Sequence, residues 1–188
     1  MRIHKIIMGI ILGIGLAIGA GSVEAKDKPL HASFAGTCTN KDDLSFTGPS
    51  IFHCTVVGKS TRGKYTAQAV VEASPDGNTC TLPDGSSGVQ YLFAGEVFVL
   101  SFSENGEQLF LDLSSSVTSH GCFDTATGLF VGRTTFDVSG GSDRFEGATG
   151  TIVKTWKAIL LAPPASPPGR GSFFSFTGIF DGGIKFAK

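Results

Sequence analysis

Residues 98–113 constrain the fold of this chain more than any other stretch. Phe98, Leu100 and Phe102 alternate along one run, and Leu109, Leu111 and Leu113 alternate along the next. A period of two gives each run one apolar face, which is the signature of a half-buried strand. Between them lies Glu104-Asn105-Gly106-Glu107. Asn-Gly flanked by two alternating runs is a strong hairpin signal, because both central turn positions need positive φ. Residues 97–103 and 107–113 are therefore expected to pair antiparallel.

After residue 30 the sequence shows almost no helical periodicity. β-branched and aromatic runs predict further strands at 31–36, 51–59, 64–73, 129–138, 149–161 and 172–180, with a short one near 184–187. Turn chemistry separates them. Ser74-Pro75-Asp76-Gly77 reads as a tight turn, and Pro83-Asp84-Gly85 opens a loop that ends near Gly88. Asp181-Gly182-Gly183 is expected to break or bend the last strand. The Pro-rich run from Ala162 to Gly169 cannot hold a full ladder and reads as a surface connection. Phe174, Phe176, Gly178 and Phe180 share one face of the last long strand, and Phe173 points the other way. About eight strands, mostly joined by hairpins, predict an all-β fold: an antiparallel eight-stranded barrel, with a β-sandwich as the alternative.

The N-terminus carries Arg2 and Lys5, an apolar run from Ile6 to Ala20, and Val23-Glu24-Ala25. This is the pattern of a secretory signal peptide with cleavage after Ala25. The apolar run is shorter than the roughly 20 residues of a spanning helix and is interrupted by four glycines, Gly9, Gly13, Gly15 and Gly19. Residues 1–25 are thus read as a leader and 26–188 as a single domain, secreted or periplasmic, with no membrane span after cleavage. Removing Arg2, Lys5 and Glu24 from 15 basic and 16 acidic residues leaves 13 and 15. A near-neutral chain without basic clusters is not expected to bind nucleic acid.

Cys38, Cys54, Cys80 and Cys122 remain after cleavage. An even count in an exported chain reads as two disulfides. Of the three pairings, Cys38–Cys54 and Cys80–Cys122 are favoured, since each joins neighbours in sequence order. A metal site using Cys122 with His120 or Asp124 is the rival reading, but the His-x-Cys-x-Asp spacing matches no common zinc pattern. No metal and no cofactor are expected.

Residues 137–150 read as strand, Gly-rich turn, aromatic anchor, second turn, strand. Gly140 and Gly141 permit unusual φ values, Phe145 can plug the core, and Gly147 and Gly150 let the chain turn back. This segment resembles the Gly-Gly-Thr-Gly-x-Phe-x-x-Ala-x-Gly turn of allene oxide cyclase and dirigent proteins. It is more similar still to secreted bacterial proteins with an allene-oxide-cyclase-like barrel. Cys80-Thr81-Leu82-Pro83-Asp84-Gly85, then Cys122, then Asp124 to Phe130 match segments that precede the turn there. The resemblance spans roughly residues 80–182. Ser142-Asp143 stands where those proteins have Thr-Gly, and Asp143 is expected to adopt a left-handed conformation. The resemblance implies an eight-stranded antiparallel barrel with an inner cavity. It carries no catalytic residue onto this chain, and fold does not transfer function.

No nucleophile elbow or phosphate loop is present. Three side chains are weak catalytic candidates: His53, in a strand that could turn it inward, Glu72, at the end of an apolar strand, and Asp112, opposite the Leu111 and Leu113 face. For each, a surface or packed role is the plainer reading. Lys154 falls on the face of Trp156, and snorkelling past the ring is its plain account.

Three functions are then open: a secreted barrel that binds a small apolar ligand or serves as an envelope accessory, a cyclase- or isomerase-like enzyme, and a structural barrel with protein partners. Self-association is compatible with each. An enzyme predicts a buried ionisable group beside a cavity. A binder predicts an apolar cavity without one. A filled barrel, suggested by 16 Phe against two Tyr, predicts neither, because Phe offers no polar handle for a ligand.

Overall fold

A computed structural model describes residues 27–40, 48–162 and 172–187. The expected leader and the Pro-rich connection from 163 onward lie outside these residues. Nine strands make one sheet: β1 (Lys28–Asn40), β2 (Ser50–Ser60), β3 (Gly63–Thr81), β4 (Ser87–Phe102), β5 (Gln108–Leu113), β6 (His120–Phe123), β7 (Leu129–Gly141), β8 (Thr149–Ala162) and β9 (Ser172–Lys185). Among the described residues no helix is long and apolar enough to cross a membrane.

Every ladder is antiparallel, and the β3–β4 pairing closes the sheet into a ring. β5 lies opposite residues 97–101 of β4 and β6 opposite residues 89–92, and both also pair with β7. They are two parts of one stave, so nine strands fill eight positions. A closed ring removes the sandwich alternative. The inward faces interdigitate into one aromatic core that includes Phe34, Phe98, Phe136, Phe174, Phe176 and Phe180. Gly178 is required here, because a β-carbon would lie 2.5 Å from the Phe34 ring.

One turn expectation is corrected and a second is narrowed. Ser74-Pro75-Asp76-Gly77 is a bulge inside β3, with a register shift between Pro75 and Thr79. The Asp76 carboxylate accepts from the Asn78 amide nitrogen at 2.9 Å and from Gln90 Nε2 at 2.8 Å, so the chain kinks and rejoins β4. Asp181-Gly182-Gly183 does not interrupt β9, because all three residues pair with β1. The expected short terminal strand is the end of β9.

Both disulfides are formed. Cys38 and Cys54 are direct cross-strand partners with Cα atoms 4.0 Å apart, and Cys80 joins the end of β3 to Cys122 on β6. Two disulfides fit an oxidising compartment. The Gly-rich turn closes one end of the ring. Phe145 is fully buried and stacks on Phe102 at 5.4 Å. Asp143 holds φ +52°, the non-glycine positive φ among the described residues. Asp124 organises the β6–β7 hairpin: its carboxylate accepts from Thr127 Oγ1 at 2.6 Å and from the Ala126 amide at 2.9 Å. Those hydrogen bonds hold its pKa below the usual value.

Candidate functional site

Among the described residues, the ring interior holds one buried ion pair. Glu96 on β4 and Lys154 on β8 meet through Oε1 and Nζ, with side-chain exposures of 0% and 2%. Local sequence explains both orientations. In β8, Ile152, Lys154, Trp156 and Ala158 alternate inward. In β4, Glu96 has the parity of Phe98, Leu100 and Phe102. Upstream, Tyr91 and Phe93 have the opposite parity, and a bulge at Ala94 reconciles the two: Ala73 pairs with Phe93 and Glu72 with Gly95.

The Lys154 ammonium sits among aromatic rings. Its Nζ is 4.8 Å from the Phe98 centroid, 5.3 Å from Phe136, and 5.5 Å from both Trp156 and Phe176. Such contacts partly replace the lost hydration of the cation. Trp156 Nε1 donates to Thr134 Oγ1 at 3.2 Å. Burial pushes the Glu96 carboxyl up, against the opposing pull of the Lys154 charge and of hydrogen bonds from Lys154 and Thr134. Burial likewise pushes the Lys154 ammonium down, opposed by Glu96. Glu96 Oε2 has no hydrogen bond of ordinary geometry.

Glu96 and Lys154 line a cavity of about 40 Å³, walled by Phe52, Phe93, Phe130 and the Cys38–Cys54 disulfide. Phe93, half-buried, is part of its lining. Ligand pockets for drug-sized molecules run about 300–1,000 Å³. This cavity has room for roughly two or three water-sized atoms.

The three sequence candidates are elsewhere. His53, Glu72 and Asp112 all point outward and are exposed. His53 does not enter the interior, because Phe52 and Cys54 take the inward positions on either side of it. The three do not converge with the buried pair. Lys154 does not snorkel to solvent, since its partner is within reach inside the ring. Glu96 escaped the sequence reading because the expected strand began at residue 97, one step short of it. Extending the Phe98-Leu100-Phe102 alternation backward by two residues would have placed it inward. The cysteine, histidine and acidic side chains form no cluster able to hold a metal ion among the described residues.

No family model, curated protein or solved structure matches the chain.

Proposed function

We propose that this protein is an exported accessory barrel that acts through its outer surface and encloses no large ligand. The observation that carries this reading is the packed interior, where aromatic side chains leave about 40 Å³. The closed ring and both disulfides support export and a stable scaffold. They also support the proposed kinship with allene-oxide-cyclase-like barrels, as a matter of architecture alone. On the outside, Val70 and Val97 are cross-strand partners and roughly half exposed, at 49% and 45%. A partner protein is the occupant this reading assigns to the outer face.

A cyclase-like enzyme has weaker support. The buried pair lines a cavity, as such an enzyme requires, but the space is too small for a substrate that must cyclise.

The test is native mass spectrometry of protein exported to an oxidising compartment, followed by thermal melts with a medium-chain fatty acid and a monocyclic terpene. Bare protein and an unchanged Tm are expected. A retained organic molecule, or a Tm raised by several degrees, would overturn the filled-barrel reading.

A further inference from the structure

Charges removed from water are often replaceable by apolar side chains at no cost in stability. Here the pair borders residual space, which both Glu96 and Lys154 line. The arrangement combines an amine in an aromatic surround, an adjacent carboxyl group and room for roughly two or three heavy atoms. A desolvated lysine beside a proton-transfer partner is the arrangement that activates amines toward carbonyl compounds.

We infer that Lys154 is a reactive amine that captures small aldehydes, of the size of formaldehyde or acetaldehyde, as a Schiff base, with Glu96 moving the proton. Proton transfer within the pair gives a neutral amine and a carboxylic acid. The Nζ lone pair attacks the carbonyl carbon, and the carbonyl oxygen takes up the proton that the nitrogen loses, giving a carbinolamine. Glu96 then protonates the hydroxyl, water departs, and the nitrogen lone pair forms the C=N bond. The product is an iminium on Lys154 facing the Glu96 carboxylate, so charge and atoms balance with one water released. Burial disfavours charge on both groups, which eases proton transfer within the pair.

The experiment uses the mature, disulfide-bonded protein with acetaldehyde and cyanoborohydride, and maps lysine ethylation by peptide mass spectrometry. The internal control is Lys157, exposed on the same strand. Lys154, an amine held in an aromatic surround beside a carboxyl group, is expected to be labelled several-fold faster than Lys157. Benzaldehyde, too large for the cavity, is expected to label Lys157 and spare Lys154. Glu96→Gln is expected to abolish the acetaldehyde preference, and the size selectivity of the unmodified protein stands as the test if that variant does not fold. Labelling of Lys154 no faster than Lys157, or only after unfolding, or equally by both aldehydes, would overturn the inference.

Discussion

Glu96 and Lys154, 58 residues apart in sequence, are joined across the interior of the ring although their strands are not neighbours in the sheet. Hydrogen-bonded ladders fix only adjacent strands. This pair therefore adds a direct link between two staves that the ladders connect only through intervening strands such as β5, β6 and β7, and it does so where few other polar groups are buried.

Removing one partner should be far more damaging than removing both. Lys154→Met leaves an uncompensated buried carboxyl and is expected to cost about 3–5 kcal/mol in urea unfolding. The double variant Glu96→Leu with Lys154→Met should unfold within about 1 kcal/mol of the parent or above it. Equal losses for single and double variants would mean that packing, not charge, governs the site.

The two tyrosines give a clean alkaline probe. Burial raises Tyr65 above its ordinary value and pushes Tyr91 up to about 12. A folded pKa above the unfolded one means the folded state holds the proton longer. The associated stability is complete below about pH 10 and is lost as pH rises through the folded value. Tyrosinate absorbance should stay silent through pH 10 in the native protein and appear near 12, whereas urea-unfolded protein should titrate near 10. Early ionisation of either ring would show that it is more open to water than the packing indicates.

The Gly-rich turn should separate packing from backbone strain. Phe145→Ala empties the ring end and is expected to lose about 3–5 kcal/mol. Asp143→Gly relieves a left-handed φ and should leave stability unchanged or raise it by up to about 1 kcal/mol. Chemical denaturation of both variants checks the pair of signs.

Each disulfide closes a loop of different length, 16 residues of separation for Cys38–Cys54 and 42 for Cys80–Cys122. Chain entropy assigns them about 3 and about 4 kcal/mol respectively. Replacing each pair by alanine should therefore lower stability more for the longer loop. A reversed order in denaturant midpoints would point to residual structure in the unfolded chain.

The outward candidates should be silent. His53→Gln, Glu72→Gln and Asp112→Asn are exposed changes away from the buried pair and should each stay within about 0.5 kcal/mol of the parent. A larger loss in any melt would reveal a contact on the outer face.

By itself the sequence determined that β4 and β5 pair antiparallel across Asn105-Gly106, the β character of the chain, which Phe faces inward on β9, and the even set of cysteines; it missed the turn itself, which spans 103–107 with positive φ at Gly106 and not at Asn105. These follow from local rules: side-chain alternation, turn conformations and redox chemistry act over a few residues or on composition. The tertiary structure decided the rest. A strand's parity is preserved only between bulges, so the irregularity at Ala94 had to be seen before Tyr91, Phe93 and Glu96 could all be placed on one inner face. The Asp76 turn became a bulge because β4 was available to continue the ladder. The meeting of Glu96 with Lys154 depends on ring closure, which brings non-neighbouring strands face to face. No periodicity along the chain encodes that distance.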